Sequence, residues 1–130
     1  MSVTTDVRTR LMDLGIAQGD TTQPWVILIG GLSDRVTQPH MAVTATTGNA
    51  PLNVMGTDRL LRPTFRIVLQ GATNGYADAE TKAYEVWDAL HRKPFGNFIA
   101  VEGTNAPAWL GYSEDNHKPR WSLNFSSIRK

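Results

Sequence analysis

Between Pro63 and Leu90 the hydrophobic pattern switches once. Phe65, Ile67 and Leu69 alternate with Thr64, Arg66, Val68 and Gln70, which predicts a strand with one apolar face. After Gly71-Ala72-Thr73-Asn74-Gly75, the positions Ala79, Ala83, Val86, Trp87 and Leu90 recur at helical spacing. Asn74 or Asp78 is the expected cap of that helix. Arg92-Lys93-Pro94 ends it, basic residues meeting the C-terminal dipole and proline barring continuation. A second block, Ala108 to Tyr112, a polar 113–119 loop, and Arg120 to Phe125, reads as a hairpin returning to the same sheet.

The remaining elements are shorter. Val7, Leu11 and Leu14 share one helical stripe and Gly15 follows as a left-handed terminator, so a helix is expected over roughly Thr5 to Leu14, with Thr5 as its cap. Trp25 to Ile29 is a continuous apolar run that predicts a strand buried on both faces, ended by Gly30-Gly31. Those glycines lack the spacing, the Lys-Ser/Thr and the following helix of a phosphate loop. Phe98 to Glu102 predicts one more short strand before the turn Gly103-Thr104-Asn105.

Leu32 to Leu61 is rich in Thr, Gly, Asn and Pro with sparse apolar residues. Thr47-Gly48-Asn49 offers a turn, so Met41 to Thr46 and Leu52 to Met55 are expected to form a two-stranded arm. A hairpin of that kind is poorly stable alone. It is expected to lie on the body, to lie on a neighbouring subunit, or to be disordered until assembly. Where ordered, it is expected to borrow a partner's surface, through Met41, Val43 and Val54 as apolar contacts and Arg35, Arg59 and Arg62 as polar ones at its base. On this reading residues 40–55 can be removed without unfolding the protomer. The order of elements predicts an α+β fold: one mixed or antiparallel sheet, two helices packed on one face, and an extended β-arm. Trp87, Trp109, Trp121, Phe65 and Phe125 are each in phase with an apolar face and are expected in the core.

Length and charge narrow the class. The 130 residues make one domain, 1–130, with the arm or loop at 32–61. Net charge is only +1, which argues against a protein whose main task is gripping nucleic-acid phosphates. There is no cysteine, so disulfides, thiolate metal sites and a cysteine nucleophile are all removed. No signal peptide is readable, and Trp25 to Ile29 is too short to span a bilayer, so synthesis in the cytoplasm and no membrane partner are expected.

The chain resembles the small tail-terminator proteins, also called minor capsid or tail-completion proteins, of phages with long non-contractile tails. Four stretches carry the likeness: Leu11 to Ile16; Trp25 to Gly31; Arg62 to Gly71 leading into Tyr76 to His91; and Pro107 to Asn116 leading into Arg120 to Phe125. The 71–73 turn looks inserted relative to that pattern, and 32–61 has no counterpart in it. The resemblance implies a structural virion protein at the head-proximal end of the tail. It implies a ring of copies of this chain, typically six-fold, that caps the tail tube and ends its polymerisation. The further partners implied are the tail tube protein and a head-completion or connector protein, with genome DNA passing through the lumen without sequence-specific binding. Another neck or head-completion protein is the alternative within that class. A small cytosolic enzyme or nucleic-acid-binding domain is the alternative outside it.

Candidate chemistry does not change this picture. His40, His91 and His117 fall in the arm, at a helix end and in a loop, and no nucleophile elbow accompanies them. Helix-dipole compensation accounts for His91, and solvation accounts for His117. Glu114-Asp115-Asn116-His117 lacks the ligand spread, glycine and terminal glutamate of a calcium loop. Asp88 and Arg92 stand at i, i+4 and are expected to pair. No catalytic residue, cofactor or metal is assigned, and the protein is read as a non-enzyme.

Overall fold

The computed structural model describes residues 3–20, 24–33, 35–53, 59–96, 98–113 and 117–129, with the backbone alone for 47–53 and 59–60. Helix α1 (Val3–Asp13) precedes strands β1 (Val26–Ile29), β2 (His40–Asn53) and β3 (Arg59–Gln70). Helix α2 (Tyr76–Leu90) is followed by β4 (Phe98–Gly103), β5 (Ala108–Tyr112) and β6 (Pro119–Arg129). One six-stranded sheet has the order β1-β2-β3-β6-β4, and β5 pairs with β6 beside β4. Only β1 and β2 run parallel, so the sheet is mixed. The expected α+β fold is the observed one.

Strand alternation decides where the core lies. Met41 and Val43 of β2, Phe65, Ile67 and Leu69 of β3, and Trp121, Leu123 and Phe125 of β6 all point to one face and are buried. Val7 and Leu11 of α1 and Ala79, Ala83, Val86 and Leu90 of α2 close over that face in a single cluster. Phe65 and Phe125, opposite each other in the β3–β6 register, stack with centroids 5.1 Å apart. Both helices therefore cover the same side. The other face carries Thr44, Thr46, Thr64, Arg66, Asn124 and Ser126, and among the described residues no helix lies on it.

The 32–61 segment is where the sequence reading needs most correction. Residues 40–53 are not half of an arm that turns at 47–49; they are one strand of 14 residues, paired to β3 from His40↔Gln70 out to Asn53↔Arg59. The turn residues Gly48 and Asn49 sit inside a strand because the register shifts between Thr46 and Asn49 and again between Asn49 and Leu52. A bulge absorbs residues of poor strand propensity without ending the ladder. The inner part of β2 belongs to the core, so removal of residues 40–55 is expected to unfold the protomer rather than leave it intact. The outer part does project: Leu52 and Asn53 pair with Leu60 and Arg59, past the last β3–β6 pair at Leu61↔Arg129.

The local signals at helix ends were of mixed value. Gly15 adopts φ +74 and ends α1 as expected, with Ile16 N–H donating to the Leu11 carbonyl at 3.1 Å. Neither Asn74 nor Asp78 caps α2; Gly75 holds the cap position with no side-chain bond, and Asp78 lies in the first turn. At the other end Arg92 takes φ +59, so the chain folds back instead of continuing to Pro94 as helix. Arg92 pairs with Glu102 across 3.6 Å rather than with Asp88, an exposed contact of little energetic weight.

Sheet edges are a hazard that proteins manage explicitly. The outer side of β1 is occupied: Ile27 N–H donates to the Gln18 carbonyl at 2.9 Å, and Arg8 Nε donates to the Ile27 carbonyl at 3.3 Å. Strand β1 is thus an edge strand with Ile29 49% exposed, not the doubly buried strand its composition suggested. The outer side of β4 is occupied too. Arg92 N–H donates to the Val101 carbonyl at 2.7 Å, and Gly103 N–H donates to His91 Nδ1 at 3.0 Å.

Candidate functional site

The three histidines are scattered and each has a local structural role. His40 is fully buried, its Nε2 accepting Ser33 N–H at 3.3 Å and its Nδ1 donating to the Gln38 carbonyl at 2.9 Å. It ties Ser33 and Gln38 to the start of β2. His91 seals β4 and stacks on Trp87 with centroids 4.7 Å apart, a role that dipole compensation did not anticipate. His117 is exposed and stacks on Tyr112 at 3.8 Å. Among the described residues no three His, Asp or Glu side chains come together as a metal set. Glu114, Asp115 and Asn116 lie outside the described residues.

The six residues expected at an interface divide sharply. Met41 and Val43 have no exposed surface in the single chain, because strand alternation turns both toward the helix-covered face of the sheet. They are core residues and drop out of the candidate interface. Arg35 is exposed beside Ser33, whose Oγ accepts its backbone N–H at 3.2 Å. Arg62 lines a shallow groove of about 230 Å³ on the polar face, with Ala100, Glu102 and Ser126. Arg59 is on the projecting end of β3, and its side chain lies outside the described set, as does Val54 altogether. Arg62 and Arg59 are thus placed on one projecting strand, and Arg35 is separate from them.

A different surface gathers the side chains best suited to contact. Tyr76 at the start of α2, Trp109 and Tyr112 of β5 are each about two-fifths exposed, at 39%, 41% and 40%. Trp109 meets Tyr76 edge-on at 4.9 Å, Tyr112 edge-on at 5.0 Å, and Trp121 at 5.4 Å. Leu110 adds 48% exposure on the same strand. Trp109 is therefore not the core residue its phase suggested. It pairs with Trp121, which is buried, but it belongs to an edge strand that only the first residue of α2, Tyr76, is seen to touch, and it stays 41% exposed. Tyr76 O–H donates to Glu80 Oε2 at 3.1 Å, and partial desolvation, then that carboxylate, raises the Tyr76 pKa above the ordinary phenol value. Half-exposed aromatics with little rotamer freedom are the residues that dominate protein–protein contacts. No periodicity argument finds this patch, since it depends on which strand ends at the sheet edge.

These features define an α+β protein with one open mixed sheet, two helices on one side, and a half-exposed aromatic patch at β5. No protein-family model matches the chain, and no curated protein does. Among solved structures it is similar to a chain in the virion of a native gene transfer agent particle. The TM-score is 0.66 over 98% of this chain and 94% of that one, at 16% identity. At that identity the likeness is one of fold.

Proposed function

We propose that this protein is a structural component of a tailed, phage-like virion. In this reading copies of the chain form a ring, of six-fold symmetry in the family it resembles, on the head-proximal end of the tail tube. The ring ends tube polymerisation and offers a surface to the head connector, and DNA passes through its lumen without sequence-specific contact. The observation that carries the reading is the near-complete fold overlap with a chain of a virion particle. The near-neutral charge agrees with a lumen that lets DNA slide rather than holding it. A protomer with a radius of gyration of about 14 Å is comparable in width to duplex DNA and can surround it only as a closed ring of copies.

The test is to tag the protein in particles and to delete its gene in parallel. Label at the head–tail junction, together with tubes of uncontrolled length in the deletion, is the expected result. Label elsewhere, or none in purified particles, overturns the reading. Tubes of normal length lacking heads would instead point to a head-completion protein.

A further inference from the structure

The pattern of sealed and unsealed strand edges points to where copies of this chain meet. Residue 18 and Arg8 close the outer side of β1, and His91 and Arg92 close that of β4. Among the described residues two edges are left. Strand β1 covers β2 only as far as Val43, so among those residues Thr44–Asn53 has a neighbour on its β3 side alone. Strand β5 pairs with β6 on one side, and among the described residues no backbone group bonds to its other side. Unpaired N–H and C=O groups in a row are a template for another strand.

These two edges lie on opposite sides of the sheet, β2 toward one end of the strand order and β5 at the other. We propose that the outer edge of β2 in one copy adds to the outer edge of β5 in the next, continuing the sheet from protomer to protomer. The inference deepens the ring reading above and rests on the self-assembly part of it. Because the two edges differ, the contact is head-to-tail, the kind that closes into a ring when its rotation allows. Trp109, Leu110 and Tyr112 give β5 apolar surface to bury alongside the new backbone bonds. The bulges beyond Thr46 bend the outer part of β2, which keeps the regular pairing short and disfavours open-ended stacking. The outer sides of β1 and β4 are closed by dedicated contacts, so leaving these two open is informative.

The experiment uses the full chain with a lysine placed on each edge in turn: Leu110→Lys on β5 and Ala45→Lys on β2, both exposed positions. Sedimentation is measured for each variant and for their equimolar mixture, and far-UV circular dichroism checks that both remain folded. Wild type is expected to assemble into closed oligomers and each variant alone to stay monomeric. The mixture should stop at a dimer, because each variant retains the edge that the other has lost. Hydrogen exchange should slow in both β5 and residues 44–53 on wild-type assembly. Oligomers in either variant alone, or unprotected amides on either edge in assembled wild type, overturn the edge pairing and leave the ring reading standing. A mixture that stays monomeric while wild type assembles also overturns it. Wild type that is monomeric at high concentration overturns the pairing too, and the virion reading is then judged by particle labelling alone.

Discussion

Trp87 occupies the space that a side chain at Gly103 would need: a Cβ built on Gly103 overlaps the indole atoms Cη2 and Cζ3. The last turns of α2 can therefore sit on the end of β4 only because residue 103 is glycine. That approach brings His91, stacked on Trp87, within reach of the Gly103 N–H. One close contact thus sets helix-to-sheet packing and closes a sheet edge.

Gly103→Ala should destabilise the protomer by about 1–3 kcal/mol through overpacking. The substitution should cost much less in a Trp87→Ala background, where the indole is gone. Chemical denaturation of the four species of this double-mutant cycle checks it. Equal costs in both backgrounds would show that backbone conformation, not the indole, excludes a side chain at 103.

His91→Ala leaves Gly103 N–H without its acceptor and is expected to cost about 1 kcal/mol, the usual net value of one hydrogen bond. The substitution also reopens the β4 edge. Faster amide exchange at Gly103, with the Arg92 amide unaffected because it still donates to the Val101 carbonyl, is the specific readout. His117→Ala, on an exposed loop, should change stability by less than about 0.5 kcal/mol.

The sequence carried the body of the fold and lost its periphery, for a physical reason. Phe65, Ile67 and Leu69 are read correctly because burial on one face imposes strict alternation, and α2 because one stripe packs on the sheet. Residues 47–51 read as a turn, and the strand segments on either side as partners of each other, because a strand held by its ladder on one side needs no apolar side chains, so Thr, Gly and Asn give no periodic signal. Trp109 was placed in the core and Ile29 inside a doubly covered strand for the converse reason. Their chemistry says apolar, but exposure depends on strand order, which no local window contains. The interface assignment inherited the same error, counting Met41 and Val43 as arm residues when the sheet turns them inward.

Met41 and Arg35 separate the two readings of that segment. Met41→Ala removes a fully buried side chain and should cost about 2–5 kcal/mol, as large-to-small core substitutions do. Arg35→Ala, at an exposed position, should stay within about 0.5 kcal/mol. Thermal unfolding of both variants is the measurement. A Met41→Ala protein as stable as wild type would restore the picture of a detachable arm.

The two ends of the chain are joined by an ion pair whose removal should be felt globally. Asp6 in the first turn of α1 lies 3.2 Å from Arg129 at the end of β6, with the arginine side chain 9% and the carboxylate 20% exposed. The guanidinium also lies 5.2 Å from the centre of the Phe98 ring, so its neighbourhood is largely apolar on one side. A carboxylate in the first turn is further favoured by the helix dipole, which fixes the direction in which α1 docks. Asp6→Ala withdraws the carboxylate and leaves a mostly buried cation. A loss of about 1–3 kcal/mol is expected, the range for a charged hydrogen-bond partner. Asp6→Ala combined with Arg129→Met should recover part of that loss, because no charge is then left buried. Denaturant unfolding of the single and double variants decides it. A double variant less stable than Asp6→Ala would mean that Arg129 holds β6 mainly through its other contacts, and that α1 docks by Val7 and Leu11 alone.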